Sequence, residues 1–452
     1  MADNDTVALI DSINGMPMTD TQADNFDAMQ PEWQKNAVIY EVNMRQGTKE
    51  GTFKAFNEQR LEKLDELGVD ILWFMPVFPV SATKRKGSMG SYYAVGNFKE
   101  VNPEFGTMED FEAIIARAHE LGMKVILDWV PNHTGWDNEW IKTNPEWYTM
   151  ENDTIIHPKE TDWTDVADLN YDNPDMREAM ISSMEYWVRD KGVDGFRMDV
   201  AGKVPDDFWT TVRTRLNAIK PVFMLSEWGD NANHFEVCFN ANYAWDLHHT
   251  MGAIAKEGKP VSTLNEYLLR DRTQFPAHGY HMSFITNHDE NSWNDFPNVL
   301  GDNADVFAVL TYTLQGMPLI YTGQEGGGLG KKILFFEKDE ITYDDMTQFE
   351  FYKTLNELHH NNKALYNGLY GGRATIIPVS DPDHTYAYYR EKDGHKVLTV
   401  LNFSDDAVDV QLSGDGFAGD YDDVFGGQSM TVAANATMNL PAHSYKVLEM
   451  RQ

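Results

Sequence analysis

Cysteine is almost absent: Cys238, inside the apolar stretch FEVCF, is the only one in 452 residues. A lone thiol makes no internal disulfide, and in apolar surroundings it reads as a buried structural residue, not a nucleophile. No apolar run approaches the ~20 residues of a membrane-spanning helix. Basic residues are scarce, with 37 Lys and Arg against 71 Asp and Glu. The resulting formal charge of −34 repels nucleic acid and anionic membranes wherever salt does not screen it, so a neutral partner is expected. The same charge fits a well-solvated surface or an adaptation to high salt, and composition does not separate the two. The N-terminal stretch MADNDTVALIDSINGMPMTD has neither the basic region nor the apolar core of a signal peptide. The expectation is a protein retained inside the cell, or one whose export leader has been removed.

What is present points to a large, ordered core. Hydrophobic residues make up 42% and aromatics 12%, enough for a globular fold, and the length predicts one large domain with appendages. After a polar leader over residues 1–32 with a weakly helical patch, β-rich runs alternate with helical patterns. The strand candidates are AVIYEV from Ala37, ILWFMP from Ile71, VILDWV from Val125, GFRMDV from Gly195, VFMLSEW from Val222, ANYAWD from Ala241, MSFITNHD from Met282 and LIYTGQE from Leu319. Helical patterns between them, such as FNEQRLEKLDELG and MEDFEAIIARAHELG, end on Gly68 and Gly122, where glycine suits the residue after a helix. Eight such units make a TIM (β/α)8 barrel, an α/β fold. Residues 134–173, rich in Trp, Asn, Asp and Pro, interrupt the rhythm and read as a small excursion domain over the barrel mouth. The barrel is thus predicted to occupy 33–133 and 174–371. Short alternating runs over 372–452 predict a C-terminal antiparallel β-sandwich.

Four segments pass abruptly from apolar to polar: LDWVPNH at 127–133, GFRMDV at 195–200, FMLSEW at 223–228 and FITNHD at 284–289. A strand of that kind is buried along its length and exposes its carboxylate at the end, so Asp199, Glu227 and Asp289 converge on one barrel mouth. Two carboxylates flanking a glycosidic bond are the minimum for its hydrolysis: one protonates the leaving oxygen, the other attacks or activates water at the anomeric carbon. Arg197 stands two residues before Asp199, on the same strand face, where a guanidinium orients that carboxylate and keeps it ionised. Glu227 follows the apolar run VFML and precedes Trp228, surroundings that raise a carboxyl pKa and suit a general acid. Asp289, His288 and His133 are placed to bind sugar hydroxyls. Each has a plainer reading when taken singly: a strand-end Asp as a turn or cap, Arg197 with Asp199 as a structural ion pair, the histidines as satisfied core residues. Their joint placement favours a site.

The ordered motifs DWVPNH, GFRMDV, SEW and ITNHD resemble those of the α-amylase family, glycoside hydrolase family 13, over residues 33–452. The resemblance implies Asp199 as nucleophile, Glu227 as acid/base and Asp289 as a third acid that distorts and holds the sugar ring. It places His133, Arg197 and His288 in the subsite of the attacked glucose. GSYYAVGNFKEVNPEFGT, from Gly90, resembles the segment that supplies a stacking tyrosine, here Tyr93. GMPLIYTGQE at 316–325 resembles the eighth strand, and VADLN at 166–170 the motif near the end of the excursion. The implied reaction retains anomeric configuration, with the two catalytic carboxyl groups roughly 5 Å apart. No cofactor is implied for the chemistry, but Asn132 and Asp168 match positions that hold a structural Ca²⁺ in many members.

The departures concern specificity. Where many α-amylases have a Lys-His pair after the nucleophile, this chain has Gly202 and Lys203. VADLN matches neither the QPDLN of many α-1,6-acting members nor the MPKLN of neopullulanases. Trp136, Trp140, Trp163 and Trp228 offer stacking platforms for glucose rings. The expected activity is retaining hydrolysis of α-1,4-glucosidic bonds in starch-type glucans or maltooligosaccharides. Alternatives are an α-glucosidase or transglycosylase of the same family, or an inactive carbohydrate-binding or partner-chain relative, against which the three intact acids weigh.

Overall fold

Side-chain alternation decides what fills the barrel. A computed structural model describes residues 4–17, 31–327 and 332–451. Eight parallel strands close on themselves in chain order: β1 (Ile39–Val42), β2 (Ile71–Phe74), β3 (Lys124–Trp129), β4 (Gly195–Met198), β5 (Phe223–Ser226), β6 (Ala241–Tyr243), β7 (Tyr280–Ser283) and β8 (Met317–Tyr321). Ile39 of β1 pairs with Ile71 on one side and Leu319 on the other, which closes the ring. Because successive side chains point to opposite faces, Ile39, Ile71, Ile126, Leu225, Met282 and Leu319 plug the interior. Their neighbours Tyr40, Leu72, Val125, Phe196 and Met224 pack outward against the helices. Two residues beyond Ile39, Ile71 and Ile126 on that inward face stand Glu41, Trp73 and Asp128, so a polar layer lies directly on the apolar plug.

The helical run expected over 56–68 is split. Helices Phe53–Gln59 and Leu61–Leu67 meet at Arg60, whose guanidinium lies 2.5 Å from the buried Glu325 carboxylate and 3.5 Å over the Tyr343 ring. The Tyr40 hydroxyl donates to the same carboxylate at 2.8 Å. A buried carboxylate without a cation is costly, and stepping the helix at Arg60 supplies one. Gly68 ends the second helix in the left-handed region, φ +88°, where a side chain would be strained.

Between β3 and the helix Pro174–Arg189 the chain forms short paired segments, His133–Gly135 with Val166–Asp168 and Met150–Glu151 with Thr154–Ile155. Asn173 caps that helix by accepting from the backbone N–H groups of Asp175 and Met176. Beyond the barrel lies a six-stranded sheet, antiparallel at every pair, in the order Ala374–Ile377, Thr385–Lys392, His395–Asn402, Ser444–Met450, Gly419–Asp423 and Ser429–Val432. The pair Val408–Gln411 and Thr437–Leu440 packs on it through a separate apolar cluster that includes Leu398, Val410, Tyr421 and Leu440. No helix among the described residues is long and apolar enough to cross a membrane.

Residues 18–30 of the expected leader lie outside the described residues. The earlier part is the helix Asn4–Asn14, with Ile10 and Ile13 buried. Asn14 exchanges two hydrogen bonds with the backbone of Ile376, at 2.8 and 2.9 Å, and Arg272 donates to the Ile13 carbonyl at 2.6 Å. The segment is therefore part of the core and joins a barrel helix to the C-terminal sheet. Ile13→Ala should cost about 2–5 kcal/mol, read as a lower denaturant midpoint at unchanged m; an unchanged midpoint would show the helix is not docked in solution.

Candidate active site

The polar layer opens into a cavity of about 560 Å³ lined by Tyr93, His133, Asp199, Glu227, His288 and Asp289, among others. Arg197, fully buried, stands behind two of its lining acids, Asp199 and Glu227. One of its terminal nitrogens lies 2.9 Å from Asp128 and 3.0 Å from Asp199, and the other lies 2.7 Å from Glu227. Its Nε donates to the Tyr243 hydroxyl at 2.9 Å. Arg197 therefore does not serve Asp199 alone, as the sequence spacing suggests. It is shared by three carboxylates from β3, the end of β4 and the end of β5. Glu227 is likewise not in apolar surroundings, since its second oxygen accepts the Val200 N–H at 2.8 Å.

These contacts set the charges. Burial works against the charge on Arg197, but Asp128 and Glu227 outweigh it and hold the guanidinium protonated. Asp128 is pushed up to about 6 by burial, against the pull of Arg197. Asp199 is raised well above the usual carboxylate range, first by burial and next by the Glu227 carboxylate, with Arg197 opposing both. The Glu227 and Asp128 carboxylates both disfavour ionisation of Asp199, so removing negative charge next to it favours that ionisation.

On the opposite wall, His288 Nδ1 lies 2.5 Å from Glu41 and its Nε2 is 2.8 Å from the Tyr93 hydroxyl and 3.4 Å from Asp289. Burial opposes a charge on this ring, but Asp289 and Glu41 raise its pKa to about 9. The imidazolium donates from both nitrogens, leaving Tyr93 to accept there and donate to Asp128 at 3.0 Å. Glu41, His288, Tyr93, Asp128 and Arg197 thus form one continuous chain of charge-assisted bonds. His133 is the contrasting case: burial and then Lys203 lower it to about 3, so its ring is neutral. The Asn132 amide nitrogen lies 3.1 Å from its Nδ1, leaving Nε2 to carry the proton.

The backbone beside Asp199 is strained. Val200 sits at φ +40° and ψ +47°, a left-handed conformation unusual for a β-branched residue and costing about 1–3 kcal/mol. That conformation accompanies the Val200 N–H contact to Glu227. Further along, Gly202 lies so close to the Trp228 indole that a Cβ would overlap the ring. Trp228 thus fills space at the position where the resemblance leads one to expect a lysine. Lys203 stands 4.9 Å over the Trp163 ring. Of the four tryptophans, Trp163 lines the cavity, Trp136 and Trp140 line two others, and Trp228 packs on Gly202.

Asn132 and Asp168 stand apart from the cavity lining. Burial raises the Asp168 carboxyl, while Thr149, Lys203, Lys159 and His157 pull it down. A hard cation takes six to eight oxygens at most of its sites. Here Asn132 turns its amide nitrogen to His133 and keeps Oδ1 as an oxygen donor, so with the Asp168 carboxylate the two side chains supply fewer oxygens than such an ion takes. Among the described residues no group of three or more His, Cys, Asp or Glu is arranged to hold a metal.

Glu41, Trp73, Asp128 and Tyr243 are the members of the site that motif reading misses. The available signal is an acidic residue inside an otherwise apolar, fully buried strand, as at Glu41 in AVIYEV and Asp128 in VILDWV. Such a residue needs a buried partner.

Comparison with known proteins agrees with this geometry. Residues 19–164 and 146–367 match the family model of the α-amylase catalytic domain, and residues 375–447 match that of the maltogenic amylase C-terminal domain. The chain is 28% identical over 400 residues to α-amylase 3 of Dictyoglomus thermophilum, covering 79% of this chain and 76% of that protein. It is 25% identical to a maltogenic α-amylase of Bacillus acidopullulyticus, covering 95% and 79%. The crystal structure of a maltogenic α-amylase from Thermotoga neapolitana superposes with a TM-score of 0.84 at 27% identity, covering 92% of this chain and 99% of that one.

The charge on His288 makes a pH prediction. Its pKa is raised from 6.5 to about 9, so its stabilisation is fully present below pH 6.5 and lost as pH rises through about 9. The difference in melting temperature between the native protein and His288→Gln should therefore be largest below pH 6.5 and shrink toward the alkaline side. A constant difference across that range would show the ring to be uncharged.

Proposed function

The chain belongs to the α-amylase family, glycoside hydrolase family 13, and we propose that it hydrolyses α-1,4-glucosidic bonds of starch-type glucans or maltooligosaccharides with retention of configuration. The observation that carries this reading is the sharing of Arg197 between Asp199 and Glu227. Two carboxyl groups on the two terminal nitrogens of one guanidinium stand close together, which supports the short separation of retaining enzymes, about 5–5.5 Å. Asp199 attacks the anomeric carbon as the bond to the glycosidic oxygen breaks, and Glu227 gives its proton to that oxygen. Glu227 then takes a proton from water, the water oxygen displaces Asp199, and the product leaves in the α configuration. Arg197 disperses the charge that the two acids exchange. Asp289 and the His288 imidazolium hold the attacked glucose, Tyr93 stacks on it, and neutral His133 donates to a hydroxyl. The barrel is assigned to 33–133 and 174–371, the excursion to 134–173 and the sandwich to 372–452.

In a time course on maltoheptaose, NMR of the first products should show the α-anomer. Glu227→Gln should lower kcat by about 10²–10⁴-fold, and Asp199→Ala at least as far. Retained activity in either variant, or β-anomer appearing first, would overturn the assignment.

Asn132 and Asp168 are assigned to holding the excursion on the barrel by hydrogen bonds and charge, without an ion. The Asn132 carbonyl accepts from the Leu169 N–H at 3.2 Å, and the segments that pair there set His133 opposite Asp168. Protein stripped with chelator should melt at the same temperature with and without added calcium. A rise on adding calcium would show that these residues hold it.

A further inference from the structure

One side of the cavity is closed by loops tied to one another. The loop after β2 is fastened at its start to the excursion: Asp137 accepts from the backbone N–H groups of Ala82 and Thr83, at 2.6 and 2.9 Å. Lys86 then reaches across to the Asp162 carbonyl at 2.8 Å and the Asp165 carboxylate at 3.3 Å. At its other end the same loop is fastened to the segment after β8. Met89 N–H donates to the Phe336 carbonyl at 3.0 Å, and Glu337 accepts from the Ser88 N–H at 2.8 Å and from its hydroxyl. Gly87, at φ +65°, lets Phe336 approach closer than any Cβ would permit. Gln46 donates to the carbonyls of Leu334 and Glu337, at 3.2 and 2.7 Å, holding that segment from below. Trp293, half exposed, continues the wall with ring centroids 5.1 Å from Phe335 and 5.5 Å from Phe336.

The position of this rim fixes what it blocks, given the role assigned to Glu227 above. The leaving group lies on the side of Glu227, where Gly202 and Lys203 stand. The attacked glucose lies against Tyr93, His288 and Asp289. Phe335 joins the rim to that glucose site, its ring centroid 6.2 Å from that of Tyr93 and 6.3 Å from that of His288, so glucose units preceding the attacked one extend away from Glu227 toward Phe336 and Trp293. We infer that the pocket is closed at this end, so the protein cleaves near the non-reducing ends of α-glucan chains and does not admit a chain that runs on past the rim.

The test compares maltoheptaose with maltoheptaose carrying a 4,6-O-ethylidene group on its non-reducing glucose, products being separated by chromatography. A few extra carbon atoms in a closed pocket cost about 10–200-fold in kcat/KM, so the blocked sugar should be cut at least about tenfold more slowly. The double variant Phe336→Ala/Glu337→Ala removes part of the wall and its tie to Ser88. It should raise the ratio of blocked to unblocked cleavage about tenfold. Equal cleavage of both sugars by the native protein, or an unchanged ratio in the folded variant, overturns the closed end and leaves the hydrolase reading intact. Failure to cut the unblocked sugar at all overturns both.

Discussion

A guanidinium with no access to water, Arg197, is the interaction on which the site depends. Three carboxylates from three strands are drawn to one cation, in a medium where an unpaired charge costs several kcal/mol. The barrel makes this possible because inward positions on neighbouring strands stack in layers, with Asp128 paired directly against Arg197 in the ladder. The apolar plug beneath excludes water, which strengthens each of these contacts and raises the cost of losing one. With Glu41 and Asp289 counted, five carboxyl groups face two cations, Arg197 and His288. Burial is the first reason Asp128, Asp199 and Glu41 are all raised, and the neighbouring carboxylates add to it while Arg197 and His288 oppose it.

The fold was legible because barrel strands announce themselves twice, by apolar content and by the polar residue at which each run stops. Asp199, Glu227 and Asp289 were visible for that reason, and so was the antiparallel character of the C-terminal region. Glu41 and Asp128 were not, because they sit within their strands and their meaning depends on partners 247 and 69 residues away. The step at Arg60 was hidden by a continuous helical pattern, since its cause is Glu325, 265 residues further on. The Asn4–Asn14 helix looked like a polar leader, for only two of its side chains, Ile10 and Ile13, are buried, and its contact to Ile376 is only partly so.

The loops show a different division of labour. Secondary structure supplies the catalytic floor, while the loops after β2, β3, β7 and β8 decide how much sugar can stand on it. Beside the aromatic contacts of Trp293 with Phe335 and Phe336, many ties among those loops are polar and near the surface, as with Lys86 to Asp165 and Ser88 to Glu337. Exposed polar ties contribute little to stability, so this part of the molecule can vary without endangering the barrel.

The docking of the first helix bears on how the chain is made. Asn14 finds its partner at Ile376, 362 positions later, and β1 cannot complete its pairing until β8 exists. Synthesis proceeds from the N-terminus, so the apolar side of that helix and one edge of β1 stand exposed while most of the protein is still being translated. Contacts this distant in sequence form slowly, and open strand edges invite association with other chains. The same two contacts that close the finished molecule therefore make its nascent form dependent on protection until the last third of the sequence has emerged.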